Sequence, residues 1–156
     1  MSHPFRKVLC AVDFSSSTKL TVETARQIAE ANGGTVILLH VVPMPIEAIG
    51  QPLMVEPLAG AEEDARHRLN RIASESLEHA YEIVVVTGEP APSIIEEAEE
   101  HAADLIVMAT HGRTGLSHFF LGSVAERVVR EASVPVMTVR VPSEKHRLLS
   151  QSVLLG

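Results

Sequence analysis

Residues 105–123 read LIVMATHGRTGLSHFFLGS, an apolar run that leads into a loop containing glycines. Within residues 105–108 no polar residue alternates with the apolar ones, and such continuous runs are typical of parallel strands covered on both faces. The loop enters a predicted helix at Gly122 and Ser123. Because strand, loop and helix in this order form the repeating unit of α/β folds, the stretch predicts a parallel sheet with helices on both faces.

The same alternation extends over the rest of the chain. Short runs of Val, Ile and Leu are separated by longer stretches with helical spacing of apolar residues. This βαβα pattern predicts a single α/β domain with an open parallel five-stranded sheet and four helices. The predicted strands are residues 7–12, 35–42, 82–86, 105–110 and 134–139.

Two helices are predicted in the first half of the chain. The first begins at an N-cap within the serines of residues 15–17 and ends at residues 32–34, which read Asn-Gly-Gly. The second begins near Ala61, where apolar residues recur every three to four positions. Residues 43–60 contain four prolines, so we expect an irregular loop there.

Two further helices are predicted in the second half. The third opens at Pro92 and Ser93, with Ala102 on its inward face and a run of glutamates on its outer face. The fourth follows Ser123 and Glu126, which have the spacing of a capping box.

Composition limits the class of partner. The 156 residues carry 13 Lys+Arg against 20 Asp+Glu, and a formal charge of -7 repels polyanionic nucleic acid. Cys10 is the single cysteine and lies in an apolar run, where a buried thiol without a disulfide is expected. No apolar segment approaches the roughly 20 residues of a membrane span, and no export signal is recognisable. We therefore expect a cytoplasmic protein that binds neither nucleic acid nor membranes.

The loop from Ala109 to Ser123 is the best candidate for a ligand site. Ligands of parallel α/β sheets bind beyond the carboxyl ends of the strands, and glycines here let the backbone bend or approach a ligand closely. A helix N-terminus offers unpaired N–H groups and a positive dipole end, so it holds phosphate without a lysine. Arg113 and Thr114 are further donors. Glycine spacing alone leaves two readings open, a phosphate site and a helix entry without a ligand.

Catalytic motifs are missing. The chain has neither G-x-x-x-x-G-K-[ST] nor G-x-G-x-x-G after the first strand, and it shows no clear general base or nucleophile motif. We interpret His111 and His118 as hydrogen-bonding loop residues and His40 as a core histidine with its hydrogen bond satisfied. The sequence thus predicts a binding module without catalytic residues, with at most slow turnover.

The loop resembles that of the universal stress protein family, in its ATP-binding branch. The family pattern is glycine, two residues, glycine, nine residues, then Gly-Ser or Gly-Thr; here Ala109, Gly112 and Gly122-Ser123 occupy those positions, with Ala109 in place of the first glycine. The likeness continues at residues 8–15, 37–41, 88–90 and 134–137. It implies the strand order 3-2-1-4-5 of a Rossmann-like, adenine nucleotide alpha hydrolase-like fold.

The resemblance also implies a site for an adenine nucleotide, expected to be ATP. Asp13 would accept a hydrogen bond from the ribose or base, although it could instead cap the first helix, and the backbone of Val41 would meet adenine. A Mg or Mn ion would ride on the phosphates, without a dedicated protein metal site. The implied site residues are Ala11, Val12, Asp13, Val41, Met108, Ala109, Thr110, His111, Gly112, Arg113, Thr114, Gly115, Gly122, Ser123 and Val124.

The resemblance implies an ATP-binding sensor of the stress response, and two alternatives stay open. One is a nucleotide-independent, dimeric interaction protein that has lost the site, because a methyl group at Ala109 weakens binding if its φ is positive or if it meets the ribose. The other is a binder of a different adenine nucleotide, such as cyclic AMP. The resemblance further implies a homodimer through an edge strand at residues 134–139. We expect one domain over residues 1–141 and a tail, residues 142–156, that is disordered or packed on a partner.

Overall fold

The computed structural model describes residues 5–44, 55–78, 80–110 and 121–141, without the side chains of residues 55–58. Five strands and four helices lie in this part of the chain. They are β1 (Lys7–Ala11), α1 (Thr18–Ala31), β2 (Thr35–Pro43), α2 (Val55–Ser76), β3 (Tyr81–Gly88), α3 (Pro90–Glu100), β4 (Leu105–Ala109), α4 (Ser123–Glu131) and β5 (Val136–Val139).

The sheet has the order β3-β2-β1-β4-β5, and every neighbouring pair is parallel. This confirms the predicted architecture and strand order. β1 lies at the centre, where Ala11 is in register with Leu39 of β2 and with Met108 of β4. The carboxyl ends of these three strands therefore meet at one edge of the sheet.

A separate hydrophobic core covers each face of the sheet. Cys10 of β1 packs with Leu69 of α2 on the face covered by α1 and α2, whereas its neighbour Leu9 packs with Val128 of α4 on the face covered by α3 and α4. This division follows from the strand geometry, because successive side chains point to opposite faces. Complete burial raises the pKa of the Cys10 thiol to about 12, as expected for a packing residue.

Part of the predicted irregular loop is helical, so that prediction is wrong for residues 55–60. α2 begins at Val55, and Pro57 lies in its first turn. The first-turn N–H groups of a helix have no intrahelical acceptor, so a proline that lacks this group is tolerated there. Residues 45–54 lie outside the described part of the chain. None of the described helices combines the length and hydropathy that a membrane span requires.

The predicted start of α3 and the inward position of Ala102 are also wrong. α3 begins at Pro90. Proline suits the first position of a helix because its ring fixes φ near the helical value. Ala102 follows the end of the helix, is exposed and has a φ of 49°. The N–H of Ala103 donates to the carbonyl of Ala98 over 2.8 Å, which closes a turn of the Schellman type and buries Ala103 instead.

We predict that A102G stabilises the protein. The left-handed conformation costs an alanine about 1–2 kcal/mol, and glycine avoids this cost. Glycine also lowers stability by about 0.4–1 kcal/mol, because it raises the conformational entropy of the unfolded chain. The free energy of unfolding in urea should therefore rise by about 0.5–1 kcal/mol. The control A59G, at an exposed position within α2, should lower it by about 1 kcal/mol. A loss of stability in A102G would contradict the expected strain.

Candidate functional site: a cavity at the strand ends

A cavity of about 330 Å³ lies at the carboxyl ends of the central strands. This is the edge at which open α/β sheets bind ligands, and the volume lies within the range of small-molecule sites, about 300–1,000 Å³. Its walls are formed by Ala11, Val12, Asp13, Leu39, His40, Val41, Pro43, Pro90, Ile94, Met108, Ala109, Thr110, Gly122, Ser123, Val124 and Ala125.

The cavity brings together the predicted site residues that the structure describes. Ten line its walls, and the other five, His111, Gly112, Arg113, Thr114 and Gly115, lie outside the described residues, as does His118. Six wall residues were not predicted. They are Leu39, His40, Pro43, Pro90, Ile94 and Ala125.

A sequence signal exists for some of the missed residues. Leu39 is opposite Ala11 in the parallel register, so an alignment of the two strand ends would have placed it at the same edge. Ile94 lies one turn after Pro90 on the inward face of α3, and every helix that follows a parallel strand begins at this edge.

The turn after β1 presents Asp13 to the cavity. Its Oδ1 accepts a hydrogen bond from the N–H of Ser15 over 2.9 Å, which forms an Asx turn. The alternative role of Asp13 as the N-cap of α1 is wrong, because α1 begins at Thr18 and Ser17 occupies the N-cap position. Ser17 makes no side-chain capping bond; its hydroxyl lies 2.6 Å from that of Ser15.

His40 is a buried histidine with its hydrogen bond satisfied, as predicted. Its Nδ1 lies 2.7 Å from the carbonyl oxygen of Val12, and because a carbonyl only accepts, Nδ1 carries the proton. The centres of the His40 and Phe14 rings are 4.3 Å apart, and the guanidinium carbon of Arg68 lies 3.8 Å from the centre of the Phe14 ring. These contacts connect β2 and α2 to the turn that carries Asp13.

Backbone hydrogen bonds close the base of the loop between β4 and α4. The N–H of Gly122 donates to the carbonyl of Thr110 over 2.7 Å, and the N–H of Thr110 donates to Val139 of β5 over 3.0 Å. Both ends of the loop are thereby held at the cavity. The first bond inside α4 runs from Glu126 to Gly122 over 2.8 Å, so the N–H groups of residues 123–125 have no acceptor within the helix. These groups and the positive end of the helix dipole favour an anion at this wall.

The predicted capping box is wrong. Gly122 is the N-cap, with φ of -60° and ψ of 154°, and Ser123 is the first residue of the helix. The backbone carbonyl of Gly122 accepts the first helical bond, so the box is out of register by one residue and the Ser123 hydroxyl does not serve as its cap.

Ala109, the departure from the family loop pattern, is the last residue of β4 and has the extended backbone of a strand. Extended backbone carries no penalty for a side chain, so a methyl group at this position causes no strain. The residue pairs with Val139 and lines the cavity.

Ion pairs at the surface connect α4 to the start of α3. Arg127 of α4 pairs with Glu89, which precedes α3, and with Glu131 of its own helix. The hydrogen bond to Glu131 is the main cause that raises the pKa of Arg127, and the same bond lowers the pKa of Glu131. Within the described ranges, no cluster of three or more His, Cys, Asp or Glu side chains is arranged to hold a metal ion.

Comparison with protein families gives one match that spans most of the chain. The model of the universal stress protein family matches residues 4–140. A universal stress protein of Methanocaldococcus jannaschii is 27% identical over 90% of this chain and 98% of its own length. One from Thermus aquaticus is 32% identical, over 87% of this chain and 99% of its own length.

Solved structures share the fold. The structure of the Methanocaldococcus protein has a TM-score of 0.79 and 27% identity, over 90% of this chain and 99% of that chain. A universal stress protein in complex with cAMP has a TM-score of 0.67 and 23% identity, over 87% and 97%. The protein from Archaeoglobus fulgidus in complex with dAMP has a TM-score of 0.61 and 22% identity, over 88% and 98%.

We predict that S123A leaves the stability of the ligand-free protein almost unchanged. Because the hydroxyl is not the cap of α4, its loss should change the free energy of unfolding by less than about 0.5 kcal/mol. Loss of a capping serine typically costs about 1 kcal/mol. Urea denaturation of nucleotide-free protein measures the difference. A loss of about 1 kcal/mol would show that the Ser123 hydroxyl caps the helix.

Proposed function

We propose that this chain, which belongs to the universal stress protein family, binds an adenine nucleotide, with ATP as the expected ligand, in the cavity at the strand ends. One observation carries the proposal. The N-terminus of α4 lines the cavity beside the ends of β1 and β4, so N–H groups that have no acceptor within the helix lie at a pocket of suitable size.

The chemistry of the walls differs from end to end, as a nucleotide requires. Phosphates fit the wall formed by Gly122, Ser123 and Val124, where N–H groups and the helix dipole favour negative charge. The sequence predicts that the segment from His111 to Gly115, which lies outside the described residues, contacts the phosphates as well. A Mg or Mn ion would be carried on the phosphates.

The nucleoside fits the walls at the ends of β1 and β2. Asp13 is a hydrogen-bond acceptor for the ribose hydroxyls, and Val41 contributes its backbone to the base. Apolar side chains such as Ile94 and Met108 provide a surface for a flat aromatic base.

The family supports an adenine nucleotide as the ligand class. Two of the structural neighbours were solved with cAMP and with dAMP. These ligands share an adenine base and a phosphate and differ elsewhere, so they favour the class over any single member. Ala109 lies in extended backbone, so its methyl group causes no backbone strain. Backbone strain therefore does not favour the alternative of a protein that has lost nucleotide binding.

The proposed role is that of a nucleotide-binding sensor in the stress response. ATP hydrolysis requires a positioned water and charge stabilisation in addition to binding groups. The binding groups named above are backbone N–H groups, a carboxylate and apolar walls, which account for retention of a nucleotide. They account for no more than slow turnover.

The proposal predicts that purified protein releases an adenine nucleotide on heating and that added ATP raises its Tm. At about 100 times Kd, a ligand adds about 2.7 kcal/mol to the stability of the folded state. Mass spectrometry identifies the released nucleotide, and parallel titrations with ATP, AMP and cyclic AMP rank the ligands. Absence of both a released nucleotide and a Tm shift would refute the function.

We predict that G122V weakens ATP binding about tenfold or more, because branched bulk at the N-cap blocks the anion-binding N–H groups. Its φ of -60° is open to valine, so the fold should persist. The matched control is G60V, since an added Cβ at Gly60 meets no atom within 4 Å and Gly60 does not line the cavity. Calorimetric titration should give G60V an unchanged Kd. Equal affinity of G122V and G60V would exclude this wall as the phosphate site.

The family resemblance also leads us to propose a homodimer through the edge strand at residues 134–139. β5 is the last strand of the described sheet, and Met137 on it is 40% exposed. An edge strand presents unpaired backbone groups to a second copy.

We predict that the protein sediments at twice the mass of one chain at micromolar concentration and that M137E sediments as a monomer. The symmetric interface would place two added charges close together in a partly apolar contact. The control L20E introduces the same charge at an equally exposed site on α1, where Leu20 is 38% exposed, and it should remain dimeric. A monomeric unaltered protein would refute the assembly.

A further inference from the structure

We infer that His40 is a positioning residue of the proposed nucleotide site, which holds the turn after β1 so that the carboxylate of Asp13 is set for the ribose. The inference rests on the proposed function. It concerns a buried side chain on β2 that contacts both chain neighbours of Asp13.

The first contact fixes the residue before Asp13. The Nδ1–H of His40 donates to the carbonyl of Val12 over 2.7 Å, while the N–H of Val12 donates to the carbonyl of Leu39 over 2.8 Å. β1 ends at Ala11, so regular sheet pairing no longer holds this carbonyl. The imidazole therefore extends the anchoring of the chain by one residue beyond the strand.

The second contact fixes the residue after Asp13. The Phe14 ring lies 4.3 Å from the His40 ring, with a tilt of 33°, and also contacts the guanidinium of Arg68. Ring contacts of both kinds favour this position of the Phe14 ring. Asp13 is thus held between two neighbours that contact the same histidine.

The backbone of Phe14 shows that this turn is constrained. Its φ of 60° lies in the left-handed region, which a bulky residue rarely adopts. Such a conformation persists only where the surroundings enforce it, and these residues cluster at ligand sites. Glycine would adopt this φ without strain, but it would lack the ring that contacts His40 and Arg68.

Positioning of Asp13 differs from a purely structural role in what it predicts for ligands. If His40 acts through Asp13, its loss weakens the binding of ligands whose ribose hydroxyls donate hydrogen bonds to Asp13 more than the binding of ligands that lack these hydroxyls. If His40 merely satisfies a buried carbonyl, its loss affects all nucleotides alike. ATP and 2′,3′-dideoxy-ATP are the pair of ligands that separates these cases.

The variants H40L and H40N form a matched pair. Leucine keeps similar bulk and removes the donor, whereas the side-chain amide of asparagine places an N–H near the position of Nδ1. We expect H40L to bind ATP about tenfold more weakly and to lose much less affinity for 2′,3′-dideoxy-ATP. Because His40 also lines the cavity, the ratio of the two Kd values is the readout. H40N should recover most of the ATP affinity. Calorimetric titration gives each Kd, and urea denaturation reports whether each variant is folded.

Two further variants complete the test. D13N should lose the same preference for ATP over the dideoxy analogue. The double variant H40L/D13N should bind ATP no more weakly than D13N alone, because both changes act through one carboxylate. F14L removes the ring contact and keeps the hydrogen bond to Val12, so it should reproduce part of the H40L effect even if H40L fails to fold.

The outcomes separate the inference from the function. Failure of the unaltered protein to bind ATP overturns both. Binding by the unaltered protein, with H40L and F14L equally weakened toward ATP and the dideoxy analogue or not weakened at all, overturns the positioning role and leaves the nucleotide site standing. Additive losses in the double variant also overturn it.

Discussion

The pairing of β1 with β2 on one side and with β4 on the other is the constraint on which the site depends. From β1 the chain moves outward to β2 and β3, then returns across the sheet to β4 and β5. Because right-handed crossovers in opposite directions lie on opposite faces, α1 and α2 cover one face and α3 and α4 the other. The chain segments that follow β1 and β4 therefore diverge, and the cavity lies between them.

The anchoring of this cavity relies on contacts that are distant in sequence. Backbone bonds from Thr110 to Val139 and from Gly122 to Thr110 hold the second wall against β5. The first wall depends on His40, which reaches the chain on both sides of Asp13. One wall is therefore built from helix N–H groups and the other from a strained turn, so a ligand that joins an anion to a hydroxyl-bearing ring complements both.

The fold was largely predictable because the strands carry strong local signals. Continuous apolar runs, such as the one that contains Ile106 and Val107, identify parallel strands wherever both faces are buried. The strand order came from the family resemblance. Helix ends were less predictable, since Gly122 and Ser123 both suit an N-cap, and the choice between them depends on where the chain returns from the loop. Similarly, the spacing of Ala102 matches the apolar face of α3, but the helix ends at Glu100, before this residue.

The sequence by itself determined the alternation of strands and helices and the glycine-containing loop after the fourth strand, because periodicity and glycine spacing are local properties. Only the tertiary structure decided that His40, Pro90 and Ile94 share a cavity with Asp13. His40 and the start of α3, which carries Pro90 and Ile94, are both far from Asp13 along the chain, so periodicity within one segment does not relate them to it. The parallel register of β1 with β2 and β4 brings the strand ends to one edge, and the first turns of α3 and α4 complete the cavity there.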